Sequence, residues 1–306
     1  MLNIQENIPL AQKTTFQIGG DARNFVEVKD EHELKEALLW ARSKEVPHVI
    51  LAGGSNVLVP DDGVDALVIH IASSVSSTSG TVLTAQAGCT LLQLIRNSAV
   101  LGLGGWEKLA GIPGTLGGAV RGNAGAFGTE IKDVLQSVQA INVHTFERRV
   151  FTNSDCEFAY RSSFFKKHRE WIIVSAELLL SRGDGRKFAL EIEATIAERE
   201  KRHIQNVRAA GSYFMNPVAP QSIREQFEKE KGVTAREGRV PAGWLIEKAG
   251  LKGARVGGAV SSEQHPNYLV NADTATAKDV QELARKIKDA VFSEFGIALT
   301  EEAEVF

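Results

Sequence analysis

The sequence predicts a mixed α and β protein, and three observations carry that prediction. Apolar runs with strand patterning alternate along the chain with segments of helical periodicity. The chain has 306 residues, 43% of them hydrophobic, enough for two or three packed units with a sizeable core. Glycine is concentrated: ten of the 28 glycines lie between Gly102 and Gly128, in 27 residues, which an ordinary loop does not explain.

In chain order, "NFVEV" (24 to 28) reads as a strand. "DEHELKEALLWARSKE" (30 to 45) reads as a helix capped by Asp30, with Leu34, Leu38 and Ala41 on one face. "HVILAGGSNVLVPDDG" is a strand entering a glycine turn, followed by strands "ALVIHI" (66 to 71) and "TVLTAQAG" (81 to 88) and a helix from Thr90 to Val100. Beyond the glycine-rich stretch, 135 to 152 reads as a hairpin and "WIIVSAELLL" (171 to 180) as a strand. "KFALEIEATIAEREKRH" is a strongly charged helix, and the polar turn over 203 to 211 is a domain boundary. The last third holds a short helix "AGWLIEKAG", a strand "NYLVN", a long helix from Thr276 to Glu294 and a closing strand "IALTEEAEVF".

A net charge of −3 gives no general reason to expect nucleic acid or an anionic membrane as partner, so any anion has to be met locally. Two cysteines, Cys89 and Cys156, supply neither a disulfide framework nor a zinc site, and no metal is expected; they suit a reducing compartment. The start "MLNIQENIPL" lacks a basic head and apolar core, and no apolar run is long enough to cross a membrane, so a cytoplasmic location is expected.

Dense glycine lets a ligand come against the backbone itself, where amide N–H groups can face an anion such as a pyrophosphate. Two segments offer this, "AGGSN" (52 to 56) after a strand and "GIPGTLGG" (111 to 118). Neither ends in the G-K-[ST] of a Walker loop, and neither is the G-x-G-x-x-G of a Rossmann turn, so another architecture has to hold the ligand.

"TTFQIGGDA" (14 to 22), "LAGGSNVLVPDDG" (51 to 63), "AGIPGTLGGAVRGNAGAFG" (110 to 128), "YRSSFF" (160 to 165), "GSYFMNP" (211 to 217), "AGWLIEKAGLKG" (242 to 253) and "FGIALTEEA" (295 to 303) resemble, in order and from end to end, the motifs of the UDP-N-acetylenolpyruvoylglucosamine reductases. The resemblance implies an α+β protein: a two-part FAD-binding domain of the vanillyl-alcohol-oxidase type over 1–72 and 73–202, then a C-terminal α/β substrate-binding domain over 203–306. It implies non-covalent FAD, NADPH as co-substrate, a UDP-sugar substrate and a monomer of the compact class. FAD contacts fall on Gly53, Gly54, Ser55, Asn56, Gly111, Pro113, Gly114, Thr115, Gly117, Gly118, Asn123 and Gly125.

The implied reaction reduces an enol ether conjugated to a carboxylate, which needs a cation for a developing enolate and an acid for the adjacent carbon. Arg161 matches the cation, Ser212 the proton donor and Glu302 the third catalytic residue, with Glu301 one register step away. Tyr160, Asn216 and Lys252 match the substrate contacts, and Arg202 and Arg208 are weaker candidates for the diphosphate. Met215 stands where this motif often carries a basic residue, and "HIQNVRAA" (203 to 210) departs from the usual proline-containing segment. Two other readings are weighed: a flavoenzyme of the same fold that oxidises an alcohol or sugar, opposed by Ser212, Lys252 and Glu302, and a non-catalytic nucleotide binder, opposed by Arg161, Ser212 and Glu302.

Overall fold

Asp30 ends the strand Asp21–Val28 and starts the helix Glu31–Ser43: its carboxylate accepts the Glu33 N–H at 2.8 Å, and Leu34, Ala37, Leu38 and Ala41 form the buried face. The structure, a computed structural model, describes residues 2–202 and 207–306. It divides into two units. The first comprises the residues up to Ile8, Ala22–Gly54 and Asp65–Lys201; the second comprises Pro9–Asp21, Ser55–Val64 and the described residues from Arg202 to Phe306. The segments 9–21 and 55–64 therefore pack with the last third of the chain, although both lie within the 1–72 stretch that the sequence reading gives to one FAD subdomain. The boundary expected at 203 lies outside the described residues.

The first unit is built on two sheets. One has the order Gln5–Pro9, Asp21–Val28, Val64–Ile71, His48–Leu51, with the last two strands parallel. The other runs Arg148–Thr152, Leu135–Asn142, Trp171–Leu179, Val82–Gln86, Ser76–Ser79 and is antiparallel throughout. Alternation puts Val138 and Ala140 of its second strand, and Ala176 and Leu178 of its third, into one continuous core that also takes Cys89 and Cys156. The helix Leu91–Val100 adds Leu91, Leu94, Ile95 and Ala99; the buried Trp106 indole donates to Ser98 Oγ at 3.0 Å, so its polar edge is satisfied.

The second unit packs the helices Gln221–Lys231, Ala242–Lys248 and Ala277–Phe295 with the three-stranded antiparallel sheet Arg255–Val256, Ala259–Ser261, Leu269–Asn271. The long helix buries Ala277, Val280, Leu283, Ala284, Ile287 and Val291, a stripe at helical spacing. Thr276 and Asp279 form a capping box at its start, and Asp61 of the "VPDDG" turn accepts the Ala277 and Lys278 N–H groups at 2.6 and 3.1 Å. Asn271 ties the "TTFQIGG" segment in by donating to the carbonyls of Phe16 and Gln17 at 3.3 and 3.2 Å. The C-terminal Glu304–Val305 pairs in parallel with Val57–Leu58.

Four expectations change. The helix Gln221–Lys231, the strand Ser76–Ser79 and the pair Arg255–Val256 and Ala259–Ser261 were not read from the sequence. The closing strand is not continuous over 297–306: Glu301 pairs with Phe214 while Glu304–Val305 pairs with Val57–Leu58, so the segment changes partner midway.

Ile287→Ala is expected to lower the unfolding free energy by about 2–5 kcal/mol through loss of burial and a residual cavity, whereas Leu190→Ala, at a position 72% exposed, should stay within about 0.5 kcal/mol of the wild type. Urea denaturation of both variants checks the contrast.

Candidate functional site

The strand His48–Leu51 runs out into Ala52, Gly53 and Gly54, the last at φ +63°. The second glycine segment is pinned on either side of Gly114: Leu91 N–H donates to the Gly114 carbonyl at 3.1 Å and Leu116 N–H to the Cys89 carbonyl at 2.9 Å. The two segments meet. A Cβ on Gly53 would lie 2.8 Å from Gly114 Cα, an approach that no side chain permits, so glycine at 53 is what lets the two backbones stand side by side. Gly118 faces the same loop, its Cβ position 3.8 Å from Ala52 Cβ. Gly53 and Gly118 are exposed, so the junction presents bare backbone on both sides.

The remaining members of the segment divide by task. Thr115 is the N-cap of the short helix Leu116–Arg121, its Oγ1 accepting the Gly118 N–H at 3.4 Å. Gly117 donates to the Ala87 carbonyl at 2.8 Å, and its Cβ position is 2.8 Å from Ala87 Cβ; packing against Ala87 accounts for this glycine. Gly111 lies beneath the Arg199 side chain, whose Cδ is 3.0 Å from its Cβ position, and Pro113 is exposed between the two. Bare backbone of this kind is what an anion such as a diphosphate can approach, and here it is offered by the exposed Gly53 and Gly118 and the half-buried Gly114, while Gly54 is buried.

Asn123 has a different setting from the one its motif suggests. It is completely buried in a left-handed conformation (φ +44°), and its amide donates to the Ala159 carbonyl at 3.0 Å and Glu130 Oε2 at 3.1 Å while accepting the Lys132 N–H at 3.4 Å. The side chain therefore crosslinks its own unit. Two residues after Ala159 is Arg161, itself at φ +54°, a strained region for a long side chain that persists only where the surroundings enforce it. Arg161 Nη2 donates to the Gly125 carbonyl at 2.9 Å, and its guanidinium lies 5.1 Å from the centre of the Tyr160 ring. A Cβ at Gly125 would come within 3.4 Å of Arg161 Nη1, so that glycine also makes room for the guanidinium. The first unit thus gathers Asn123, Gly125, Tyr160 and Arg161 into one cluster.

The second unit gathers another. Ser212 is half-buried and precedes a short extended run in which Met215 N–H donates to the Thr300 carbonyl at 2.9 Å and Glu302 N–H donates to the Tyr213 carbonyl at 2.8 Å. Ser212 and Glu302 are consequently carried on paired backbones. Asn56, immediately after the half-buried Ser55, donates through Nδ2 to the Glu302 carbonyl at 3.0 Å and accepts the Glu304 N–H on its own carbonyl at 3.0 Å. Glu301 carries its carboxylate to Lys288 Nζ at 3.4 Å. Burial, reinforced by the Glu301 charge, pushes the Tyr213 hydroxyl well above its ordinary pKa and keeps it neutral.

Two substrate candidates sit apart from that pair. Asn216 Oδ1 accepts the Ala242 N–H at 3.0 Å at the start of a helix, and Arg239, which the sequence reading missed, donates to the Asn216 carbonyl at 2.9 Å. Lys252 is exposed, with Nζ 3.4 Å from Glu247 Oε1. Arg208 holds the strand Leu269–Asn271 by accepting the Asn271 N–H on its carbonyl at 2.8 Å; the Arg202 side chain lies outside the described residues. A cavity of about 270 Å³ in the first unit, lined by Asp30, Ser73, Gln86, Gln139 and Arg148 among others, contains none of the residues proposed from the motifs. Among the described residues there is no cluster of metal-ligating side chains and no helix long and apolar enough to cross a membrane.

Comparison with known proteins gives two domain matches: an FAD-binding domain over residues 22–144 and the C-terminal domain of UDP-N-acetylenolpyruvoylglucosamine reductase over 202–306. The chain is 36% identical over 307 residues to a UDP-N-acetylenolpyruvoylglucosamine reductase of Solibacter usitatus, covering 99% of this chain and 96% of that one. It is 38% identical over 304 residues to the same enzyme from Carboxydothermus hydrogenoformans, covering 99% and 93%. Among solved structures, the UDP-N-acetylenolpyruvylglucosamine reductase of Thermus caldophilus matches with a TM-score of 0.80 and 31% identity over 100% of both chains.

Gly53→Ala is expected to yield folded protein with most of its flavin lost, because the new Cβ forces the two glycine loops apart. Gly80→Ala, at φ +64° with nothing within 4 Å of its Cβ position, should keep full flavin content. Absorbance of the purified proteins in the visible range measures both.

Proposed function

The chain belongs to the UDP-N-acetylenolpyruvoylglucosamine reductase family, and from that premise we propose which of its residues carry the reduction of UDP-N-acetylenolpyruvoylglucosamine to UDP-N-acetylmuramate, a step in bacterial peptidoglycan precursor synthesis. FAD held at the Gly53 and Gly114 backbones would supply the hydride chemistry that links NADPH to the enolpyruvyl double bond. The observation that carries the cofactor reading is the contact of the Gly53 and Gly114 backbones, with Gly118 facing the same loop and Ser55 and Asn56 following it in sequence.

Hydride addition to a double bond conjugated to a carboxylate leaves an enolate, and the product needs a proton on the adjacent carbon. We assign Arg161 to the carboxylate and the enolate: a guanidinium offers paired donors to both, and here it is aimed by the Gly125 carbonyl and the Tyr160 ring rather than left to swing. Ser212 is assigned the proton transfer. A serine is a weak acid, so its placement has to do much of the work, and the pairing of Tyr213 with Glu302 supports Glu302 as the third catalytic residue. The neighbouring Glu301 bridges Phe214 and directs its carboxylate to Lys288, and it is the register alternative to be tested.

Lys252 and Arg239 are the cations assigned to the UDP diphosphate, with Asn216 and Tyr160 as further polar contacts. Asn216 serves chiefly by fixing the Arg239 segment, since its Oδ1 is taken by Ala242. The protein is read as a monomer acting in the cytoplasm; two buried free thiols suit a reducing compartment. Sedimentation of the holoenzyme as a dimer would end the first part of that reading.

Ser212→Ala and Glu302→Gln are expected to leave flavin reduction by NADPH within about twofold of normal while slowing reoxidation by the UDP sugar by about 10²- to 10⁴-fold, the usual cost of losing a positioned acid. Glu301→Gln should change neither half-reaction by more than about twofold. Stopped-flow absorbance reads all three, and normal reoxidation in Ser212→Ala removes that serine from the mechanism. Lys252→Ala is expected to raise KM for the UDP sugar about tenfold or more with little change in kcat, since an ion-paired contact to the diphosphate is made before the chemical step. Steady-state kinetics check this, and an unchanged KM moves the diphosphate to Arg239.

A further inference from the structure

Asn267 is 2% exposed and sits in a turn just before the strand Leu269–Asn271. Its side chain does what a neighbouring strand would do: Oδ1 accepts the Phe214 N–H at 2.9 Å and Nδ2 donates to the Phe214 carbonyl at 2.9 Å. Its own carbonyl accepts the Tyr213 N–H at 2.8 Å. On the opposite edge, the Tyr213 carbonyl accepts from Glu302 and Met215 N–H donates to Thr300. Residues 213 to 215 are thus bonded along both edges, one edge being a single asparagine.

The residue before this run depends on it. Ser212 is preceded by Gly211 at φ +73°, around whose Cβ position there is nothing within 4 Å, so no side-chain packing at Gly211 fixes the chain from that side. Before Gly211 the chain is held at Ala209, whose carbonyl accepts the Thr15 hydroxyl at 2.7 Å and which bridges to Val270. After it, Ser212 leads directly into Tyr213 and Phe214, whose rings are buried and meet edge to face at 5.2 Å, so the run bonded to Asn267 is one of the two anchors of the Ser212 hydroxyl. Asn267 is itself held rigidly. Ser261 Oγ donates to the Pro266 carbonyl at 2.9 Å, Tyr268 N–H donates to the His265 carbonyl at 2.8 Å, and the Gly243 Cβ position is 3.6 Å from Asn267 Cβ.

We infer that Asn267 is a positioning residue for the proton-delivering step, acting through the Tyr213–Phe214 run to fix Ser212 against the segment that carries Glu302. This rests on the assignment of Ser212 above. Asn267→Asp is nearly isosteric but replaces the Nδ2 donor by an acceptor facing the Phe214 carbonyl, which loosens the run without emptying the core. A misplacement of about 1 Å in a reacting group can cost about 10²-fold in rate.

The test uses the FAD-loaded Asn267→Asp holoenzyme, with melting temperature and flavin content establishing that it is folded. Amide hydrogen exchange at Tyr213 and Phe214 should accelerate, flavin reduction by NADPH should stay within about twofold, and reoxidation by the UDP sugar should slow by about 10²-fold. The double variant Ser212→Ala with Asn267→Asp should be no slower than Ser212→Ala alone, since one route is lost only once. If Asn267→Asp does not hold FAD, Asn267→Ser is measured in the same way. Faster exchange at Phe214 with an unchanged reoxidation rate overturns the inference, as does an additive loss in the double variant. Normal reoxidation in Ser212→Ala is the separate result that overturns the parent assignment.

Discussion

Much of the first unit follows from the closeness of two main chains that have no side chains to separate them. With Gly53 and Gly114 in contact, the end of the strand His48–Leu51 abuts the loop that begins the helix Leu116–Arg121. The flanking bonds, Leu91 to Gly114 and Leu116 to Cys89, then fix where the helix Leu91–Val100 starts. A ligand that fits the junction meets amides and carbonyls, whose positions are set by the fold, rather than side chains that lose rotamer freedom when ordered. Backbone of this kind can meet an anion without a cluster of lysines, which suits a protein of slight negative charge.

The polar residues around both clusters are mostly occupied in holding backbone. Asn123, Asn216, Asn267 and Asn271 each use their amide on main-chain groups of other segments, and Asp61 does the same with a carboxylate. Buried amides of this kind are costly if left unpaired and specific when satisfied, because their donor and acceptor must both find partners at once. Arg161 shows the benefit. Its left-handed backbone and its guanidinium are constrained by Asn123 at one remove, by Gly125 and by Tyr160, so a flexible side chain is presented in one orientation.

The sequence was most informative where chemistry required unusual residue types close together. Gly114 stood out through glycine density and Gly53 through a glycine pair after a strand, Arg161 and Ser212 through the order of their motifs, and the long helix from Thr276 was legible as a helix although its capping box was not. Other features had no such signal. The helix Gln221–Lys231 begins after a proline without a side-chain cap and offers mainly Ile223 and Phe227 as an apolar face, so its pattern was lost among charges. Asn267 is a lone polar residue whose partner lies far away in sequence, and no local period could mark it. Asn123 was expected to contact FAD from its place in a glycine motif; its amide is given to Glu130 and Ala159 of the surrounding chain, a direction that a motif does not encode.

The route of the chain constrains the order in which the protein can be made. Residues 9–21 and 55–64 complete their contacts only with the last third, and Asn56 bonds Glu302 across 246 residues. During synthesis the ribosome releases those early segments long before their partners exist, while the first unit can already collect most of its own sheet. Leu58 and Phe16, both fully buried in the finished protein, are then apolar surface awaiting cover. Chains from which the final third has not yet emerged are the stage most in need of protection by chaperones, because Asn56 and Val57–Leu58 find their partners at Glu302 and Glu304–Val305.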